Sequence, residues 1–181
     1  FPFSLRRRIE YFGRDDRPKF AMIDKSKLLS AFIAKLEADL DLITRAALLA
    51  RDEAIDEESR AESKWDTRGQ EAAYLAEGQA KIATELTEAI SLFRDLDITP
   101  TLPPEQIRAG SVFVVAQPPG EMNAVVAPRA GGTEVTLDGK TFIVVTPTSP
   151  LGREALGKKA GDFITMLMRG KSLPFEIKNT C

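Results

Sequence analysis

The side chains that could do chemistry in this chain are carboxylates. Its 181 residues include no histidine, and the single cysteine is the last residue, Cys181. Without imidazole, the commonest general base and the commonest neutral metal ligand are missing. Ser-His-Asp and Cys-His machinery and the usual zinc sites are therefore excluded. No Walker loop is present, and no GxGxxG opens a helix after a strand. Acids, by contrast, concentrate in one stretch: Asp52, Glu53, Asp56, Glu57, Glu58, Glu62 and Asp66. Any chemistry would have to be theirs. A solvated end of a helical hairpin would concentrate charge in the same way.

The elements that position these acids are two long helices. Asp24 is placed to cap a helix running from about Lys25 to Glu58. Along it Leu29, Ile33, Leu36, Leu40, Ile43, Ala47, Ala50 and Ala54 alternate steps of four and three. After the polar "SRAESKWD", the alternation resumes with Ala72, Leu75, Gln79, Ile82, Leu86, Ala89, Phe93 and Leu96. This is the 3.5-residue repeat of a coiled coil, written twice. Thr67 and Gln70 have the spacing of a capping box for the second helix. The short connection favours an antiparallel hairpin on the order of 50 Å long, at about 1.5 Å per residue. Leu and Ile occupy the seam far from the turn and Ala near it, so the distal end is expected to be slim and acidic.

The charge distribution follows this division. Residues 1–23 carry six Lys/Arg against three Asp/Glu, residues 24–97 ten against seventeen, and residues 98–181 nine against seven. A general nucleic-acid binder would show a strong basic patch, and none stands out. Residues 1–23, with Arg6, Arg7 and Arg8 among aromatics, read as a basic extension before the hairpin, with Met22 a natural start. No function is assigned to it. No apolar run approaches the roughly 20 residues that span a bilayer, and no secretory signal is visible. A reducing, cytoplasmic setting is expected from the cysteine usage.

Pro100, Pro103 and Pro104 break the second helix, and residues 98–110 read as a linker. Residues 111–181 then form a β-rich domain. Strands are expected at 111–116, 123–127, 133–137, 141–145 and 163–167, with a sixth at 173–177, and Asp138-Gly139 is a hairpin signal. Between the fourth and fifth strands lies "TPTSPLGREALGKKAGDF". There Ser149 is an N-cap, Pro150 suits the first helical turn, residues 151–156 make a short helix and Gly157 ends it. The fold class is α+β: an antiparallel coiled-coil hairpin, then a small antiparallel β domain with one short helix.

"SPLGREALGKKAGD", from Ser149 to Asp162, resembles the hallmark of the C-terminal domain of the Gre transcript-cleavage factors. An N-terminal antiparallel helical hairpin is that family's other half, so the resemblance covers about residues 24–177. It implies an FKBP-like head that docks on bacterial RNA polymerase near the secondary-channel entrance, with the coiled coil entering the channel. Carboxylates at the tip then help hold a second Mg²⁺ at the polymerase active site, so that backtracked RNA is cut by the polymerase itself. Under this resemblance the protein is an accessory factor and not an enzyme, with no metal site or cofactor of its own, sharing only the polymerase's Mg²⁺. It touches nascent RNA indirectly and is a monomer.

Carried onto this chain, the resemblance makes Asp66 and Glu71 the candidate catalytic acids, with Glu62 and Trp65 at the channel tip. Ser149, Pro150, Leu151, Lys158 and Lys159 become candidate polymerase contacts. The tip departs from the family pattern, however. Aligned on Tyr74, the family's two acids fall at Thr67 and Gln70, and Asp66 and Glu71 stand one residue outside them. One residue turns a side chain by about 100° around a helix. Asp66 fits a cap equally well, and Glu71 fits a first-turn charge. Lys158 and Lys159 fit a solvated turn as readily as a docking surface. The altered tip leans toward regulation without efficient cleavage.

Two other classes compete. A peptidyl-prolyl isomerase would need an aromatic-lined pocket, and residues 98–181 offer only Phe113, Phe142, Phe163 and Phe175. A structural coiled coil would dimerise through its seam, whereas the alanine-rich seam argues for pairing within the chain.

Overall fold

A computed structural model describes residues 23–55, 68–99, 106–117, 120–168 and 170–181. Two long helices, α1 (Lys25–Ile55) and α2 (Arg68–Arg94), form the expected antiparallel hairpin. Asp24 caps α1: its Oδ1 accepts from the backbone N–H of Ser26 at 3.0 Å and of Lys27 at 3.2 Å. These donors hold the Asp24 carboxyl below its ordinary range, the Ser26 hydroxyl being the largest cause. The expected end of α1 at Glu58 and the Thr67 cap of α2 lie outside the described residues.

Near their base the two helices are joined by an aromatic contact and an ion pair. Phe32 packs on Phe93 with ring centroids 5.9 Å apart, and Arg94 donates to Glu37 across the pair at 2.7 Å. Leu28, Phe32, Leu36, Ala89, Ile90 and Phe93 are buried there. Farther out, among the described residues, the buried seam positions are Ala50 and Ala72. The seam corrects the sequence expectation at alternate positions of α2. Leu75 and Ile82 are 56% and 45% exposed, while Ala76 and Ala83 turn partly inward. Alanines there let the helix backbones come closer than leucines would.

Among the described residues the sheet has six strands: β1 (Val112–Gln117), β2 (Gly120–Val126), β3 (Glu134–Leu137), β4 (Lys140–Val145), β5 (Phe163–Met168) and β6 (Lys171–Thr180). Their spatial order is β3-β4-β2-β1-β6-β5. It is mostly antiparallel, as expected, but β2 and β4 run parallel, with Asn123 opposite Phe142 and Val126 opposite Val145. Between those two strands the chain makes the β3–β4 hairpin, so β4 re-enters the sheet beside β2 in the same direction. Asp138 and Gly139 both have positive φ, 50° and 74°, as the tight two-residue turn requires. β2 begins three residues earlier than expected, and β6 extends to Thr180.

Strand alternation splits the core into two layers. Val112, Val114, Val125, Phe142 and Val144 face the hairpin and share one core with Leu28, Phe32, Leu36, Ala89, Ile90 and Phe93. Phe113, Val115, Ala124, Val126 and Val145 face the other way, toward the short helix α3 (Pro150–Ala155) and Ile107. Hairpin and sheet are therefore continuous at their junction. Polar contacts reinforce it: Arg129 pairs with Glu88 at 3.2 Å, Arg108 with Asp97 at 3.0 Å, and Lys25 donates to the Gly110 carbonyl at 3.4 Å. Gly110 has φ +83°, and a Cβ there would lie 1.9 Å from the Asp97 carbonyl oxygen. Among the described residues, no helix is long and apolar enough to cross a membrane.

Candidate functional site

Two regions carry the sequence candidates: the Ser149–Asp162 unit on the head and the far end of the hairpin. The head unit is built from its backbone outward. Ser149 is extended, with φ −67° and ψ 157°, and its Oγ accepts from the Gly152 N–H at 3.0 Å while donating to the Thr146 carbonyl at 2.8 Å. Pro150 follows at the first helical position, where its missing N–H costs nothing. Gly152 has no room for a side chain, because a Cβ would lie 1.9 Å from the Thr146 carbonyl oxygen. The "SPLG" string is thus the solution to one packing problem: a helix start pressed onto the end of β4.

The second half of the unit binds the linker and closes the sheet edge. Gly157, at φ +78°, ends α3 and donates its N–H to the Ile107 carbonyl at 2.9 Å; Ile107 returns its own N–H to the Lys158 carbonyl at 2.7 Å. Lys158 Nζ donates to the Phe163 carbonyl at 2.7 Å, and the Thr165 N–H donates to Glu154 Oε2 at 3.4 Å. Phe163 and Thr165 belong to β5, the outermost strand on this side. Two motif side chains therefore occupy backbone groups on an open strand edge. Asp162 Oδ2 accepts from the Lys159 N–H at 2.9 Å and closes the turn into β5.

These facts sort the candidate docking residues. Leu151 is 8% exposed and belongs to the core with Ile107 and Ile164, so it supports the unit from beneath. Ser149 is engaged as a cap, and the Lys158 ammonium is engaged at the β5 edge. Pro150 and Lys159 are the exposed members. Sequence reasoning missed the roles of Glu154 and Ile107. The i, i+4 spacing of Glu154 and Lys158 was a readable signal, but it does not specify that both reach the same strand.

At the far end of the hairpin, Asp66, Glu62 and Trp65 lie outside the described residues. Glu71 is exposed in the first turn of α2, beside exposed Gln70. Both positions are helical, so their side chains leave the axis about 100° apart. Glu71 therefore points away from the direction that Gln70 takes. Among the described residues, no group of three or more His, Cys, Asp or Glu is arranged to hold a metal ion. The four head phenylalanines do not form a common aromatic lining: Phe113 and Phe175 lie in one core layer, Phe142 in the other, and Phe163 is exposed.

No family model matches the chain, and no curated protein sequence matches it. Among solved structures, Thermus aquaticus Gfh1 is similar at 20% identity and a TM-score of 0.35, over 86% of this chain and 93% of that one. The GreA factor homolog 1 (Gfh1) of Thermus thermophilus is similar at 18% identity and a TM-score of 0.32, over 83% and 95%. The transcription elongation factor GreA/GreB from Nitrosomonas europaea stands at 16% identity and 0.32, over 61% and 91%. Likenesses this distant leave the function to be read from the chain's own residues.

Proposed function

We propose that this chain is a Gre-like accessory factor of bacterial RNA polymerase, which docks through its head and sends the hairpin into the secondary channel. The observation that carries the reading is the union of two parts: a hairpin with an acidic far end, and a head bearing the complete Ser149–Asp162 unit. Hairpin and head share one core, so a docked head would fix where the hairpin points. Pro150 and Lys159 offer the outward surface of the docking unit.

Between the two ways such a factor can act, the tip favours occupancy without efficient RNA cleavage. Carboxylate oxygens are the right donors for Mg²⁺. Yet Glu71 stands about 100° around the helix from Gln70, where the resemblance places the second acid. In this reading the polymerase keeps all of its own chemistry, and the factor changes elongation by filling the channel.

The test is transcript cleavage on stalled, backtracked complexes of the cognate polymerase at saturating Mg²⁺, run beside competition against a cleavage-competent factor. Displacement of the competitor without shortening of the RNA is expected. Mg²⁺-dependent 3′ shortening that disappears in the Asp66→Asn, Glu71→Gln double variant would instead make this a cleavage factor. Failure to bind polymerase at all would end the proposal.

A further inference from the structure

The seam of the hairpin changes character at one level. Fourteen residues outward along α1 from Phe32 lies Ala46, and fourteen back along α2 from Phe93 lies Gln79, so these two stand opposite each other. On the head side of that level the inward residues include Leu36, Leu40 and Ile43 on α1 and Leu86, Ile90 and Phe93 on α2. On the tip side, among the described residues, they are all small: Ala46, Ala47 and Ala50 on α1, Gly69, Ala72 and Ala76 on α2. Stabilisation by burial scales with the apolar area removed from water, so the tip side of the seam is held far more lightly. Its large apolar side chains do not make up the difference, since Leu49 and Leu75 are 72% and 56% exposed.

The boundary itself is a weak point. Gln79 Oε1 is buried there without a hydrogen-bond partner among the described residues, and the alanines across from it offer no side-chain donor. Gly78 precedes it in mid-helix, exposed, with nothing within 4 Å of the position a Cβ would take. No close approach requires a glycine at that place, and it weakens α2 there. The base has the opposite character: Phe32, Ala89 and Phe93 share a core with Val112 and Phe142 of the sheet. Among the described residues of the hairpin beyond Gln79, none belongs to that core.

We infer that the hairpin consists of two cooperative units meeting at Gly78–Gln79, and that the outer unit opens while the base stays folded with the head. Closed, the outer unit continues the rod. Open, its residues keep no fixed direction relative to the head. A ligand that needs the closed form draws the equilibrium toward it, which makes the outer unit an order–disorder switch on a rigid mount. This division belongs to the free chain and does not depend on the polymerase reading.

Native-state hydrogen exchange of the full chain tests it, read amide by amide at low urea where closing outpaces exchange. Amides of residues 47–55 and 72–78 should share one protection level, at least about tenfold below that of residues 28–40 and 86–93, with the step at Gln79. Gly78→Ala combined with Gln79→Leu should raise the outer level by about tenfold or more, alanine being the better helix former and leucine leaving no buried orphan. Ile90→Val, which trims the base, should lower protection there by about twofold to tenfold and leave the outer level unchanged. If Ile90→Val lowers both levels together, the hairpin is one cooperative unit and the inference is wrong. If protection declines residue by residue from Ile55 and Arg68 with no step, the helix ends only fray, and the inference is wrong again. Neither result touches polymerase binding, so the proposed function stands or falls separately.

Discussion

Gly110 sits where three elements meet, and replacing it with alanine should weaken the junction between hairpin and head. Its N–H donates to the Val126 carbonyl at 2.9 Å, its carbonyl accepts from Lys25, and its Cα faces the Asp97 carbonyl at the end of α2. A Cβ would meet that oxygen at 1.9 Å, so backbone must move. The left-handed φ of +83° costs an alanine about 1–2 kcal/mol, and relieving the overlap adds roughly 1–3 kcal/mol. Gly139→Ala is the matched control: its φ is +74°, but nothing lies within 4 Å of the added carbon. It should show the first cost alone. At about 2–4 °C per kcal/mol for a chain of this size, Gly110→Ala should lower Tm by roughly 4–20 °C and Gly139→Ala by roughly 2–8 °C. Urea unfolding of parent and both variants gives the difference directly. If Gly110→Ala is no less stable than Gly139→Ala, the close approach to Asp97 is not a constraint, and the account of the junction fails.

Other outcomes follow from single contacts. Ser149→Ala should remove about 1 kcal/mol, seen as a small fall in Tm, and Ser149→Asp should restore most of it. Gln79→Leu should stabilise the hairpin: Gln79 Oε1 is buried without a hydrogen-bond partner among the described residues, a cost of about 1–3 kcal/mol that leucine removes. A melt showing lower stability would mean that the oxygen is satisfied after all. Asp97 is held well below the usual carboxylate range, first by the Thr99 hydroxyl, then by the Thr99 N–H and by Arg108. A depressed folded pKa contributes stability that is present above the unfolded value of 3.8 and is lost as pH falls toward the folded one. Asp97→Asn should therefore lower stability at pH 7 and flatten the acid limb below about pH 4; parallel acid titrations of the two proteins would refute this. Lys158→Ala with Glu154→Ala should release the β5 edge and promote self-association, read by light scattering.

Much of this architecture was legible because local rules and tertiary needs agree. The Ser149 cap, the Asp138-Gly139 turn and the Gly157 stop each express a backbone demand that few residues meet. The heptads announced a hairpin, but period alone cannot choose between Leu75 and Ala76, or between Ile82 and Ala83, as the inward member. Close helix approach decides it, and approach distance is a property of both helices together. The continuous core between hairpin and sheet was invisible for a similar reason. Leu28 and Phe32 sit off the expected seam, and their burial depends on a sheet about 80 residues downstream. The parallel pairing of β2 with β4 depends on where the β3–β4 hairpin folds back, which turn chemistry does not specify. Of the candidate site, the head unit was read correctly as a folded motif, while the destination of the Lys158 ammonium needed the position of β5.

A rod fixed at one end multiplies small rotations. α1 has 31 residues, so it extends about 46 Å from the junction. A pivot of about 5° at the Phe32–Phe93 layer, about 35 Å from Ile55, would then move the far end of α1 by about 3 Å, roughly a hydrogen-bond length. The aim of the tip is therefore decided at the opposite end of the molecule, by the shared core and by the Arg129–Glu88, Arg108–Asp97 and Lys25–Gly110 contacts. Substitutions there would act as changes of aim, altering what the tip can reach without touching a residue on it.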